Sequence, residues 1–330
     1  MSPNFDPITA SADDPLVTVI ICTHNRCAVL AETLNAVMAQ EGVDFAFVIL
    51  VVDNASKDRT PQLVEAIAQR AAVEIRYILD PIVGLSHARN VALDYAQTPY
   101  VAFLDDDCQP SPQWLAALIE PFRGIVPPPG AVGGRIWLRW TNAPPRWMSD
   151  ELRGYFGYLD YGEDVQSVRM VNGGNIAFPT AVVRRYAYDT RLGLVGRQQT
   201  LGEDVDILLR MRKDHLAIYY QPGALVWHIL GEQRENRSFL LRRSRGLGRQ
   251  QAQLATLYHY PGRLGVLRLM LKEAWSRRHW WKRIALDLVR GTLLRSVPER
   301  MWVRSTLVRF FAFQRVLLTL VVKGEKTLGR

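Results

Sequence analysis

Short, continuous apolar runs alternate with amphipathic stretches through the first ~110 residues, and the runs stop at polar or charged groups. Val17 to Cys22 (VTVIIC) is β-branched throughout, the pattern of a strand buried on both faces in a parallel sheet. It runs straight into Thr23-His24-Asn25-Arg26. Leu30, Leu34 and Val37 then recur at helical spacing and predict a helix through Met38. Phe45 to Val52 predicts a second strand, ending in Asp53-Asn54-Ala55-Ser56-Lys57-Asp58, where Ser56 or Asp58 can cap the next helix. Ile75 to Leu79 is a shorter third strand, Gly84 to Asn90 opens a helix that ends near Thr98-Pro99, and Val101 to Leu104 is a fourth strand. Strands in this alternation are joined by right-handed crossovers, so their polar ends converge on one edge of a parallel α/β sheet.

The fourth run carries the strongest chemical signal, because Val101-Ala102-Phe103-Leu104 passes directly into Asp105-Asp106-Asp107. A core cannot hold three unpaired carboxylates, so the acids belong at the strand's carboxyl end, where open α/β sheets bind ligands. Hard oxygen ligands in a row suit Mg²⁺ or Mn²⁺ holding a phosphate. The plainer reading is an acidic strand-to-helix turn, which Pro110 to Trp114 allows. Neither GxGxxG nor GxxxxGK[ST] occurs, so a dinucleotide fold or a P-loop would lack its phosphate loop.

After Pro127-Pro128-Pro129 the pattern shifts to short apolar runs with Gly and Trp, which predicts an antiparallel or mixed sheet. Asn172-Gly173-Gly174-Asn175 reads as a tight turn entering a strand, with backbone free to approach a ligand or to form a simple bulge. In Gly202-Glu203-Asp204-Val205-Asp206, the acids fall at a predicted helix start, where they either cap the helix or project into a cleft as a general base. Ala217 to Tyr220 and Ala224 to Trp227 predict two further strands, the second delivering His228.

Charge changes the picture mainly at the C-terminal end. The net charge is +9, but residues 234 to 330 hold 22 of the 41 Lys and Arg and only 5 of the 32 Asp and Glu, a net +17. A basic tail that interleaves apolar clusters with arginine and contains Trp275, Trp280, Trp281 and Trp302 suits an anionic membrane surface, or alternatively a helical bundle or homo-oligomer contact. Arg242, Arg243, Arg245 and Arg249 repeat along its first part as candidates for a phosphate or lipid headgroup. Nucleic acid is not an expected partner, since no DNA- or RNA-binding motif is present. Three cysteines without zinc spacing (Cys22, Cys27, Cys108) suggest a reducing compartment and no disulfide framework. Residues 1 to 15 read as a polar, disordered leader rather than a signal peptide, and no apolar stretch is long enough to cross a bilayer.

The elements VIICTHNR, VVDNASKD, GLSHARN, VAFLDDD, GGNIAF, GEDVDILLR and ALVWH stand in one order over more than 200 residues, and with them the chain resembles the family 2 glycosyltransferases. That resemblance implies a GT-A type α/β fold over residues 16 to 232, a Rossmann-like, mostly parallel central sheet flanked by helices, while the basic region over 233 to 330 lies outside it and reads from its own pattern as a helical extension. The resemblance implies inverting, metal-dependent, hexosyltransferase-type transfer from a nucleotide-diphosphate sugar to an acceptor hydroxyl on a saccharide or lipid-linked saccharide of surface-glycan synthesis. The cysteine usage and the basic tail, rather than the resemblance, predict a cytoplasmic protein bound peripherally to the inner face of the cell membrane. By position in the resemblance, Thr23, Asn25, Arg26, Asp53, Arg89, Asp105 and Asp106 would contact the nucleotide sugar, and Asp107 would bind Mn²⁺ or Mg²⁺ with His228 as a further ligand. Asp204 would be the base with Glu203 beside it, and Gly174, Asn175 and Asp206 would face the donor or acceptor sugar. Two other functions stay open: an inactive GT-A module that binds nucleotide sugar, and a nucleotidyltransferase, although the glycine-rich nucleotide loop of the latter is missing.

Overall fold

The computed structural model describes residues 14–195, 198–199, 201–258, 262–276 and 297–323. Nearly all of the expected N-terminal leader lies outside them, as do Trp280, Trp281 and the side chain of Trp275. The chain divides into two compact units. The first comprises residues 1–139, 158–190 and 203–229, the second residues 140–157, 191–202 and 230–330.

In the first unit the alternation read from the sequence is present. The strands β1 (Val17–Thr23), β2 (Phe47–Asp53), β3 (Ile75–Leu79) and β4 (Tyr100–Leu104) are separated by α1 (Cys27–Met38), α2 (Thr60–Ala68) and α3 (Leu85–Tyr95). They pair in the order β3-β2-β1-β4, all parallel, with Thr23 opposite Asp53 in the β1–β2 register. The two faces are covered as the continuous apolar runs require. Val19, Ile21, Ile49 and Val51 pack with Leu30, Leu34 and Val37 of α1, and Ile20, Leu50, Val52 and Phe103 with Ala88 and Ala92 of α3.

Beyond β4 the sheet continues in antiparallel pairs through β5 (Cys108–Pro110), β6 (Ala131–Trp140), β7 (Gln166–Ser167), β8 (Asn175–Pro179) and β11 (Ile218–Leu230). Among the described residues nine strands thus form one mixed sheet in the order β3-β2-β1-β4-β8-β6-β11-β5, with β7 on β11. Flanking it are α4 (Trp114–Gly124), α5 (Thr180–Tyr186) and α6 (Glu203–Lys213), and β9 (Leu194–Val195) pairs separately with β10 (Gln198–Gln199). The expected Rossmann-like sheet with flanking helices is therefore the fold. One expectation fails: the two strands expected over Ala217 to Tyr220 and Ala224 to Trp227 are one strand, β11, which begins at Ile218. Pro222-Gly223, which reads as a break, is carried within it because the Gly223 N–H donates to Gln221 Oε1 at 3.0 Å and Pro222 has no N–H to place.

The second unit contains the expected C-terminal helices, α7 (Arg237–Tyr258), α8 (Gly262–Ser276) and α9 (Val297–Lys323). Ala252, Val266, Leu269, Phe313 and Leu317 make their shared core. Phe156 anchors an aromatic cluster with Trp140, Trp147 and Phe239.

Candidate active site

The acids after β4 lie where the strand leaves the sheet, and the chain fixes each one differently. Asp106 and Asp107 are buried, at 6% and 5% exposure. Thr23, at the end of β1, donates from Oγ1 to Asp106 Oδ2 at 2.7 Å, and Thr33 of α1 donates to the Asp106 carbonyl at 2.8 Å. The Ile229 N–H of β11 donates to the Asp107 carbonyl at 2.8 Å, and His228 sits opposite Cys108 in the β5–β11 register. This pairing brings His228 Nε2 to 3.5 Å from Asp107 Oδ1. Arg26 closes the group: its Nη1 donates to Asp106 Oδ1 at 2.8 Å and to Asp107 Oδ2 at 2.7 Å. Burial, only partly offset by Arg26, pushes the Asp106 carboxyl up to about 6.

Asp105 points elsewhere, toward Arg89 of α3. The buried Arg89 guanidinium stacks over the rings of Tyr188 (5.3 Å) and Phe103 (5.9 Å). Its Nη2 donates to Asp105 Oδ1 at 3.4 Å and to the Gly173 carbonyl at 3.2 Å, and its Nη1 donates to Glu203 Oε1 at 3.0 Å. One side chain thereby joins the strand-end acids, the Gly173-Gly174 turn and the start of α6. Glu203 is buried, and burial together with the neighbouring Asp204 raises its carboxyl above the usual range against the pull of Arg89.

Asp204 accepts the Gly173 N–H at Oδ2 (3.0 Å) and the Val205 N–H at Oδ1 (2.8 Å). Each oxygen keeps a lone-pair site for a further donor. At both glycines a larger residue would have to displace an acidic side chain of the site. A Cβ on Gly173 would stand 2.7 Å from Asp204 Cβ, and one on Gly174 would stand 2.3 Å from Asp105 Oδ2.

The remaining expected residues divide. Asp53, fully buried beside Thr23, accepts the Ser56 N–H (2.8 Å) and the Tyr77 hydroxyl (2.7 Å). Asn25, with φ of 54°, accepts the Lys57 N–H at Oδ1 (2.7 Å) and donates its own N–H to Ser56 Oγ (2.8 Å). Both therefore shape the edge beside the acids. Asn175 and Asp206, expected to face a sugar, are both buried. The Asn175 amide is fully buried, donating to the Arg135 and Ala224 carbonyls (3.1 and 2.8 Å) and accepting from Trp114 Nε1 (2.8 Å). Asp206 is buried against Arg210, one helical turn on, at 2.8 Å.

A cluster that the sequence reading passed over lies at the same edge. Asn54 Nδ2 donates to Asp80 Oδ2 (2.8 Å), Asn54 Oδ1 accepts the Gly84 N–H (2.6 Å), and His87 Nδ1 lies 2.8 Å from Asp80 Oδ2. The signal was available, since Asp80 follows β3 as Asp53 ends β2.

A divalent cation needs oxygen donors that converge on one point. Among the described residues no three His, Cys, Asp or Glu side chains form a ready-made metal shell. Asp106 and Asp107 nevertheless offer one oxygen each around a single point, with His228 alongside. Two carboxylates and open positions are what a cation shared with substrate phosphates requires, so the residues fit.

A sequence model described as Glycosyl transferase family 2 matches residues 18–192, more than half of the chain. The chain belongs to glycosyl transferase family 2. Among its relatives in that family, the glucosyl-dolichyl phosphate glucuronosyltransferase of Haloferax volcanii is 26% identical over 249 residues, covering 73% of this chain and 78% of the relative. The succinoglycan biosynthesis protein ExoM of Rhizobium meliloti is 29% identical over 235 residues, covering 69% and 71%. In fold, the chain is similar to the mannosyltransferase PcManGT of Pyrobaculum calidifontis, solved in complex with GDP-Man and Mn²⁺. That alignment has a TM-score of 0.59 at 20% identity and covers 97% of this chain and 90% of the other. This chain is a glycosyltransferase with a role in polysaccharide or glycan synthesis, and its fold is similar to that of the mannosyltransferase.

Proposed function

We propose that this protein transfers a sugar, with inversion, from a nucleotide-diphosphate sugar to an acceptor hydroxyl of a saccharide, most specifically a lipid-linked one in surface-glycan synthesis. The observation that supports the reading most is the Arg89 bridge, which links Asp105 to Glu203 and, through the Gly173 backbone, to Asp204. The names of the relatives, a dolichyl-phosphate enzyme and a succinoglycan protein, support the substrate class.

In this reading Thr23, Asn25 and Asp53 form the nucleoside edge, and Asp105 and Arg89 face the sugar and diphosphate. Asp107, with Asp106 and His228, would hold Mn²⁺ or Mg²⁺, and such an ion supplies charge neutralisation for a departing diphosphate. Asp204, oriented by two backbone N–H groups, takes the proton from the acceptor hydroxyl. The oxygen then attacks the anomeric carbon from the face opposite the diphosphate, the new C–O bond forming as the bond between the anomeric carbon and the diphosphate oxygen breaks and the nucleoside diphosphate leaves. Arg89 holds Glu203 beside the base. Asn175 acts by positioning β6, β8, β11 and α4 rather than by touching sugar.

The exposed face of α8 supports a location at a membrane surface. Leu264, Leu267 and Leu271 are 74%, 45% and 65% exposed at successive helical turns, with the exposed Arg268 and Lys272 among them. No helix among the described residues is long and apolar enough to cross a bilayer. We place the protein peripherally on the inner face of the cell membrane.

A thermal-shift screen of nucleotide-sugars with and without Mn²⁺ tests the donor reading. One nucleotide-sugar should raise the melting midpoint more with Mn²⁺ than without, and Asp107→Asn should remove the difference. A screen in which no nucleotide-sugar shifts the protein, with or without metal, contradicts it.

A further inference from the structure

Arg26 has no clear place in the chemistry just described, yet it makes the shortest ionic contacts of the site. A single nitrogen, Nη1, lies 2.8 Å from Asp106 Oδ1 and 2.7 Å from Asp107 Oδ2. Two buried neighbouring carboxylates repel one another and need a cation, and here a guanidinium nitrogen takes the point at which both offer an oxygen. A divalent ion held by the same pair needs that point as well.

The rest of the loop cannot yield it. Asn25 is tied on both sides, to Ser56 Oγ and the Lys57 N–H, and the Cys27 N–H donates to Asp58 Oδ2 at 3.0 Å. The backbone on either side of Arg26 is therefore pinned, while its side chain is 43% exposed and open to solvent. Only the side chain needs to move for the point to be vacated.

We propose that Arg26 is the resident counter-cation of this site, holding Asp106 and Asp107 in place without metal and exchanging with the divalent ion when it binds. Arrival of the ion and departure of the guanidinium are one event. The released guanidinium, still tethered beside the site, then faces the donor diphosphate, so that metal and donor binding support each other. This rests on the metal reading given above, and its test separates the two.

Free Mn²⁺ is followed by electron paramagnetic resonance during titration of the nucleotide-free full-length protein, wild type against Arg26→Ala and Arg26→Lys. Removing a competing cation should tighten Mn²⁺ binding by Arg26→Ala about tenfold, whereas Arg26→Lys, which keeps a charge in reach, should stay near wild type. Without metal, Arg26→Ala should melt below wild type, and Mn²⁺ should recover more of its midpoint than it adds to wild type. Mn²⁺ binding by Arg26→Ala that equals or falls below wild type overturns the exchange while leaving the metal site standing. Should neither protein take up Mn²⁺, both the exchange and the metal reading fall. If Arg26→Ala does not fold, Arg26→Gln carries the same expectation.

Discussion

Asn175 shows how a motif residue can be legible and its role not. The GGN turn was visible as glycines before a strand, but only the fold reveals that the Asn175 amide satisfies two carbonyls and an indole N–H in the core. Replacing it by alanine strands three buried polar groups, each costing about 1–3 kcal/mol. Asn175→Ala should therefore lower the melting midpoint steeply, whereas a sugar contact would lose activity at unchanged stability. Gly174→Ala should behave in the opposite way. Its Cβ collides with the mobile end of the half-exposed Asp105 rather than with backbone, so the fold should tolerate it while Asp105 is pushed from Arg89. Donor affinity, measured beside the melting midpoint, should fall several-fold, and unchanged affinity would remove Asp105 from the donor edge. That Thr23 and Arg26 meet Asp106, and that Arg89 meets Asp105 and Glu203, was legible as a grouping from strand ends and family pattern, because apolar runs that stop at polar residues deliver them to one sheet edge. Asp206 was not, since an i,i+4 partner such as Arg210 is equally compatible with a surface pair and a buried one.

Among elements, the parallel strands were legible because burial on both faces leaves unbroken β-branched runs, and β11 was misread because one Pro-Gly pair looks the same inside a strand as between two. The two loops that carry Asn25 and Asp53 are joined by Asp58. Its Oδ2 accepts the Cys27 N–H at the start of α1, and its Oδ1 accepts both the Thr60 hydroxyl and N–H at the start of α2. These hydrogen bonds outweigh desolvation and lower its carboxyl from 3.8 to about 2. A depressed carboxylate contributes stability above its unfolded pKa and loses it as pH falls through the folded one. The gap in urea midpoint between wild type and Asp58→Ala should therefore be full at about pH 6.5 and shrink between about pH 4 and 2. At neutral pH the loss should be near 1 kcal/mol, typical of a cap, and a gap that does not change with pH would assign it to packing instead.

At the scale of the whole molecule, charge asymmetry was plain in the sequence, but periodicity alone could not say which leucines of the tail face water. The structure buries Val266 and Leu269 and leaves Leu264, Leu267 and Leu271 outside, with Arg268 and Lys272 exposed alongside. Each cation near an anionic surface contributes about 1 kcal/mol and is screened by salt, whereas inserted leucines are not. Full-length protein should co-sediment with anionic but hardly with neutral liposomes. Replacing the three leucines by serine should abolish the salt-resistant part, and indifference to anionic liposomes at low salt would make the tail an oligomer contact. One comparison tests whether Asp204 is the base opposite a donor held by the strand-end acids. With the donor found by the thermal screen and its acceptor, sugar transfer and donor affinity are measured side by side for wild type and Asp204→Asn. Donor affinity should be unchanged and transfer lowered by about two to four orders of magnitude. Transfer at the wild-type rate, or donor affinity lost in step with transfer, would contradict it.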